Sequence, residues 1–377
     1  MTDRVYLDWN ATTPLRPEAR AAMMAAFDLC GNASSVHGEG RKARHLVEEA
    51  RAVVATAVGA TPRNVVFTSG GTEANALALD PGLRVGSGAP ADRLLVSAIE
   101  HASVLAGGRF GAIDTIPVTR SGLVDLDALR AALASGPPAL VSIMAANNET
   151  GVLQPISDAA EIVHRAGGVL HVDAIQALGK IPFNFMDVGA DLVTLSAHKI
   201  GGPKGVGALV LGEAVSGLEP LLRGGGQERG RRAGTENVAG IAGFGAATRA
   251  AVRAFAQDRS RLETLRDRLE LGLRATPEVM VFSAEVQRLP NTTLFTAPGL
   301  RAETAVIGFD LEGVAVSSGS ACSSGKVQAS HVLQAMGFGP QQAVGAVRLS
   351  LGWSTTDADV DYCLQAWRKL AGTLVKG

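Results

Sequence analysis

The sequence predicts an α/β fold, with a large domain built on a mostly parallel sheet and a smaller α+β C-terminal domain. Between about residues 64 and 212, short runs that are apolar at every position alternate with Ala-rich helical stretches. Uninterrupted apolar runs suit strands covered by helices on both faces. At 377 residues the chain also exceeds the size at which one hydrophobic core stops growing, so two domains are expected.

The predicted strands are 65–68, 94–97, 140–144, 169–173, 192–195 and 208–211. After a Gly/Arg-rich segment at 223–235 the chain runs through a long Ala/Arg/Leu-rich helical stretch, in which residues 259–273 show a clear 3.6-residue apolar period, and this reads as the connector between the domains. Strands are expected at 291–295 and 347–351, with a final helix over 356–374. The expected division is an N-terminal segment, residues 1–15, packing on the small domain, a large domain at 16–255 and a small domain at 256–377.

A hydrophobic fraction of 46%, a charged fraction of 19% and a net charge of -1 describe an ordinary globular protein. They leave no electrostatic pull toward nucleic acid or anionic membrane, so neither is an expected partner. The N-terminus has no cationic stretch leading into an apolar one, and no run approaches a membrane span, so the cytoplasm is the expected compartment. Three widely spaced cysteines, Cys30, Cys322 and Cys363, make neither a disulfide framework nor a metal-ligand pattern. Any special cysteine must act as a thiol.

In an open α/β sheet ligands bind past the carboxyl ends of the strands. Here those positions hold Ser69-Gly70-Gly71-Thr72, Glu100-His101, Asn147-Asn148-Glu149, Asp173 to Gln176, and Ser196 to Lys199. Lys199 is one of only seven lysines, against 28 arginines, and ends a buried-strand pattern before a Gly-Gly pair. A lysine so placed can lose its proton and attack a carbonyl carbon, forming a Schiff base, most often with pyridoxal phosphate. Read alone, it also fits a solvated turn.

Gly70-Gly71-Thr72 runs straight into a helix, where free N–H groups and the Thr72 hydroxyl can hold a phosphate. An ordinary capped turn fits equally. Asp173 at a strand end is a carboxylate whose burial calls for a cation such as a pyridinium, or else it is a helix cap. Gln176 is placed to donate to a ring hydroxyl, and His101 either stacks and relays protons or is structural. Cys322 lies in Ser317-Ser318-Gly319-Ser320-Ala321-Cys322-Ser323-Ser324-Gly325, a small and polar setting unlike that of an inert core cysteine. Cys30 and Cys363 read as structural.

Seven ordered motifs then carry a resemblance: Ser-x-His-Lys at Lys199, His-Val-Asp-Ala-x-Gln at Asp173, Ser-Gly-Gly-Thr-Glu-Ala-Asn at Thr72, Glu-His at His101, Asn-Asn-Glu-x-Gly at Asn148, Arg-Ala-Gly-Thr-Glu-Asn at Thr235 and Ser-Ser-Gly-Ser-Ala-Cys-Ser at Cys322. Together they resemble the cysteine desulfurases of the class V branch of fold-type I pyridoxal-phosphate (PLP) enzymes, nearly from end to end. The resemblance implies an aspartate aminotransferase-like fold with a seven-stranded, mostly parallel sheet, and a C-terminal domain carrying a catalytic cysteine loop. It implies that Lys199 bonds the cofactor, that Asp173 pairs with the pyridinium, and that Gln176 and Asn148 contact the ring edge with His101 stacked above it. Gly71, Thr72, Ser196 and His198 then hold the phosphate, with Thr235 reaching the phosphate of a neighbouring subunit in a homodimer. Arg348 clamps the substrate α-carboxylate, where Asn148 also contacts the substrate. Asn32 either assists there or is only a turn residue.

The implied reaction turns L-cysteine into L-alanine and leaves a persulfide on Cys322, whose sulfur passes to an acceptor such as an iron–sulfur scaffold protein. No metal site is expected beyond a transient iron–sulfur contact through that persulfide. Other readings are a transaminase or β-lyase of the same fold, a selenocysteine lyase, and a noncatalytic sulfur-carrier scaffold. The serine-rich motif resembles the group holding nitrogenase-associated and housekeeping desulfurases. The chain's end at Lys376-Gly377, soon after the last helix, favours an expectation of nitrogen fixation.

Overall fold

Six of the seven strands of the main sheet run in one direction, as fully apolar runs between two helical layers require. The computed structural model describes residues 4–319 and 328–375. Its strands are β1 (Val65–Thr68), β2 (Arg93–Ser97), β3 (Ile113–Ile116), β4 (Ala139–Met144), β5 (Val169–Asp173), β6 (Leu192–Ser196) and β7 (Gly207–Leu211), in the spatial order β1-β7-β6-β5-β4-β2-β3. Only β7 runs against its neighbours. Every residue of β4, β5 and β6 is buried, so these central strands were legible as apolar runs. The unpredicted strand is β3, at the sheet edge, where Asp114 and Thr115 are exposed and break the run.

The long helical stretch expected after residue 235 is one helix, Val238–Arg274. Its first half is rich in Gly and Ala because two helices press against it. A Cβ on Gly243 would fall 2.7 Å from the Met23 side chain, and one on Gly245 2.7 Å from Ala50. Only glycine permits so close an approach. This half buries Ile241, Phe244, Ala247 and Ala251 in the core around the main sheet. The second half buries Leu262, Leu265, Leu269 and Leu273 in a separate core.

That second core is built on an antiparallel sheet of β8 (Met280–Val281), β9 (Thr292–Thr296), β10 (Ser317–Ser318) and β11 (Val347–Ser350), ordered β8-β9-β11-β10. Helices Ala302–Leu311 and Asp357–Leu374 cover it, and Thr356 caps the latter through a bond accepted from the Asp359 N–H. Val5 and Leu7 also belong to this core, and Val5–Tyr6 pairs in parallel with Val314–Ala315. The chain then crosses toward the main sheet. Thr13 N–H donates to the His198 carbonyl at 2.9 Å and Arg16 N–H to the Gly201 carbonyl at 2.8 Å, so residues 10–16 lie along the turn that carries Lys199.

Candidate active site

A cavity of about 250 Å3 opens at the carboxyl ends of the main strands. It is lined by Gly71, Thr72, His101, Asn148, Asp173, Gln176, Ser196, His198, Lys199 and Arg348, together with Asn10 and Ser103 from the rest of its wall. The carboxyl end of the main sheet therefore collects nine of the residues singled out in the sequence, and Arg348 reaches the same cavity from the second sheet.

Each is positioned by a short local device. Helix Gly71–Ala78 begins directly after β1 with no side chain capping its first turn. A Cβ on Gly71 would lie 2.3 Å from Ile175 Cδ1, so this glycine lets the helix start abut the turn that follows Asp173. β6 ends at Ser196 and tightens into a single 3-10 turn, Ala197–Lys199. The Lys199 amine donates to the carbonyls of Asn10 and Ala11, both at 2.7 Å. Burial, then the charges of Lys199, Lys204 and Lys180, push His198 down to about 4, so its imidazole is neutral at pH 7. His198 Nδ1 lies 3.1 Å from the Thr12 hydroxyl.

Asp173 is the end of a directed chain of donors. Its Oδ1 accepts from the Ile175 N–H at 3.0 Å and its Oδ2 from the Asn75 amide at 2.9 Å. Because the Asn75 amide nitrogen must donate to a carboxylate, its Oδ1 accepts, taking the Thr194 hydroxyl at 2.6 Å. Thr194 Oγ1 is then left to accept from His171 Nε2 at 3.1 Å, and His171 Nδ1 from Ser142 at 2.8 Å. Burial holds His171 down at about 3, consistent with a neutral ring in this relay. Burial also raises Asp173 above the ordinary aspartate range, against hydrogen bonds from Ile175 and Asn75 and the charges of His101 and Lys199. Asn75 further donates to the Ser103 hydroxyl at 2.9 Å, which lies 2.8 Å from His101 Nδ1. One buried amide thus fixes both the carboxylate and the histidine.

Arg348 is buried on β11. It donates to the Asn148 carbonyl at 3.0 Å and to Asp8 at 2.8 Å, while its Nε, also buried, has no partner among the described residues. An orphaned guanidinium N–H at a cavity wall is a ready donor for a carboxylate. The Ser196 hydroxyl is likewise buried without a partner, beside Thr72 and His198 on the same wall. These three side chains and the uncapped helix start fit a phosphate, and the buried Asp173 carboxylate fits a protonated ring nitrogen. The residues present therefore suit a phosphorylated pyridine aldehyde.

Two predicted residues lie elsewhere. Asn32 is exposed and accepts from the Ser34 N–H at 2.8 Å, a turn geometry, away from the cavity. Thr235 is exposed on the Gly/Arg-rich segment, beside a second cavity lined also by Ser69 and Arg232. Cys322 lies outside the described residues.

Several site residues carried no assignment in the sequence reading. Asn10 receives Asn291, Lys180 and Gln176 side chains and itself donates to Thr292 at 2.8 Å, pinning the N-terminal segment between the two cores. Lys180 also donates to Gln176 Oε1, and burial pushes it well below the ordinary lysine range. The one signal for Asn75 was a polar residue on the buried face of an Ala/Leu helix.

Glu100 yields a pH prediction. Its Oε1 accepts from the Ser97 hydroxyl at 2.6 Å and the Met144 N–H at 2.7 Å, and its buried Oε2 has no partner among the described residues. Burial, reinforced by the Asp173 charge, raises its pKa to about 8. Between pH 4.5 and 8 the unfolded chain carries Glu100 ionised and the folded chain keeps it protonated. Stability is therefore lost as pH rises through that window. Glu100→Gln mimics the neutral form, so its melting temperature should match wild type near pH 5 and exceed it at pH 8.5, by a gap on the order of 3 kcal/mol in stability. Parallel pH profiles for the two proteins would contradict this.

Residues 5–363 match the family model described as Aminotransferase class-V. A cysteine desulfurase of Cereibacter sphaeroides is 44% identical, over 96% of this chain and 94% of its own length. The cysteine desulfurase IscS of Dictyoglomus turgidum is 41% identical, over 98% and 95%. Among solved structures, a NifS-like protein from Rickettsia africae superposes with a TM-score of 0.89 at 38% identity, covering 98% of this chain and all of that one. With this coverage on both sides and the cavity at the shared sheet end, the chain belongs to the aminotransferase class V family, in its cysteine desulfurase branch.

Proposed function

We propose that this protein is a PLP-dependent cysteine desulfurase that converts L-cysteine to L-alanine and takes the sulfur as a persulfide on Cys322. The observation that carries the reading is the convergence, on one cavity, of the Lys199 amine, the buried Asp173 carboxylate, the Thr72/Ser196/His198 cluster and the Arg348 guanidinium. An amine alone fits many sites. An amine with a cation-seeking carboxylate, an anion cluster and a free guanidinium donor fits a phosphorylated pyridine cofactor and an amino acid.

Bound PLP supplies an aldehyde carbon that takes amines and a ring that accepts the electron pair left by a breaking Cα–H bond. Lys199 would hold that aldehyde carbon and, once displaced by substrate, take the Cα proton on its amine. Asp173 would keep a proton on the ring nitrogen, with the Asn75 relay keeping Asp173 aimed. Gly71, Thr72, Ser196 and His198 would hold the phosphate, Gln176 and Asn148 would contact the ring, and His101 would move protons. Arg348 binds the substrate carboxylate through its unpaired Nε. The Cys322 thiolate attacks the substrate sulfur, so that an S–S bond forms as the C–S bond breaks, and the remaining three-carbon fragment is protonated to alanine.

The two cores support a division into an N-terminal segment at 1–15 on the small domain, a large domain at 16–255 and a small one at 256–377. The exposure of Thr235 supports its acting across a homodimer interface. Sulfur then passes to an acceptor thiol, in our reading an iron–sulfur scaffold in the cytoplasm. A structural neighbour described as SspA in complex with cysteine, 30% identical with a TM-score of 0.74, supports the substrate. The test is product analysis of L-cysteine turnover with a thiol reductant. Equal alanine and sulfide are expected, whereas an oxo acid would identify a transaminase or β-lyase, and activity confined to selenocysteine would identify a lyase for that substrate.

A further inference from the structure

Lys180 has no task in the proposed reaction, yet its amine is committed to two hydrogen bonds. It follows Gln176 by four residues, and the turn between them is helical: Leu178 N–H donates to the Ala174 carbonyl at 3.3 Å and Ile181 N–H to the Ala177 carbonyl at 3.1 Å. Residues four apart in such a turn share a face. The Lys180 amine accordingly donates to Gln176 Oε1, and also to Asn10 Oδ1 at 3.0 Å. A third contact decides which way the Gln176 amide faces. Its other terminal atom lies 3.0 Å from the Asn10 backbone carbonyl, which can only accept, so that atom is the nitrogen. Oε1 is thereby left for Lys180, whatever the charge on the amine.

The Gln176 amide nitrogen carries two N–H groups and gives one to Asn10. Gln176 lines the cavity, so the second serves an acceptor there. Asn10 is itself held on several sides. Its Oδ1 also accepts from Asn291 at 3.2 Å, its amide donates to Thr292 at 2.8 Å, and its backbone carbonyl accepts from Lys199 at 2.7 Å. Lys180 therefore joins Gln176 to the residue that also receives the Lys199 amine. Burial, then the charges of Lys199 and Arg348, push Lys180 well below the ordinary lysine range, and both of its acceptors are neutral amide oxygens. A methionine of similar length would fill the space without the cost of burying an amine. What the amine adds is a pair of directed donors, one of which makes Gln176 show the cavity an N–H and not a C=O. Without it the buried Oε1 loses its donor, and the amide is driven to turn or shift toward another.

We propose that Lys180 is a positioning residue for Gln176: its amine locks the amide so that an N–H, not a carbonyl, is offered to the ring oxygen of the cofactor. This rests on the reading of the cavity as a PLP site. A donor at that oxygen favours its ionised form, which absorbs in the visible. The test compares PLP-loaded wild type and variants by absorbance spectrum and by the rate of cofactor loss on dilution. Lys180→Met and Gln176→Leu should each move absorbance from the visible band of the ionised ring oxygen toward the near-ultraviolet band of its protonated form. Each should also lose the cofactor about threefold to tenfold faster than wild type. The double variant should match Gln176→Leu, because Lys180 acts on the cofactor through that amide. Lys180→Arg, whose side chain also only donates, should recover part of both signals. A wild-type spectrum and release rate in Lys180→Met would overturn the proposal, as would losses that add in the double variant. If Lys180→Met does not fold, Lys180→Gln, too short to reach both acceptors, is read in its place. A wild-type protein that takes up no PLP would instead overturn the functional reading beneath it.

Discussion

Lys199→Ala, loaded with PLP, should show no cofactor that borohydride reduction fixes to the protein, and its turnover of cysteine should fall by at least about a thousandfold. The structure makes this sharper than a generic loss of a lysine, because a second amine lies close by. Lys180 donates to Asn10 Oδ1 at 3.0 Å and to Gln176, and burial keeps it well below the ordinary lysine range, which favours a nucleophilic neutral amine. Both lysines line a narrower space of about 40 Å3 beside Trp9, Arg16 and Trp353, and Lys199, unlike Lys180, also lines the cavity with Asp173 and Arg348. Peptide mapping after reduction should therefore find the cofactor on Lys199 in wild type and on neither lysine in the variant. Cofactor recovered on the Lys180 peptide would transfer the role to that residue.

Cys322→Ala should separate binding from chemistry. The side chains proposed to hold cofactor and substrate, from Thr72 to Arg348, are other residues than 322, so the variant should keep its visible absorbance and its response to cysteine. It should form no persulfide, and alanine production should fall by at least about a hundredfold, since the substrate sulfur then has no nucleophile to take it. Cys363 cannot stand in: it is fully buried, and burial pushes its thiol up to about 12, leaving almost no thiolate. Full turnover by the variant would reject the role.

The central strands were legible in the sequence because burial on both faces leaves them mostly apolar, with Ser142, His171 and Thr194 the polar residues within the runs, so their carboxyl ends, and the chemistry there, stood out by contrast. β3 did not, since an edge strand with Asp114 and Thr115 in solvent resembles a loop. The same contrast explains which site residues were found. Lys199, Asp173 and Thr72 follow apolar runs directly. Asn75, Asn10 and Lys180 acquire their parts only from tertiary neighbours: Asn75 is local to a helix, but its partners Asp173 and Thr194 arrive from β5 and β6. Glu100 and Glu149 are acidic residues in turns after strands, a pattern that normally means solvent exposure. Only the fold shows them buried. For Asn32 the turn reading, open in the sequence, matches the exposed geometry.

The decisive measurement is a single turnover of PLP-loaded protein with L-cysteine in the absence of reductant, quantifying alanine and weighing the Cys322 peptide. One alanine per subunit, matched by a mass gain of one sulfur atom on that peptide, is the predicted result. Alanine without sulfur on Cys322, or pyruvate in place of alanine, would contradict it.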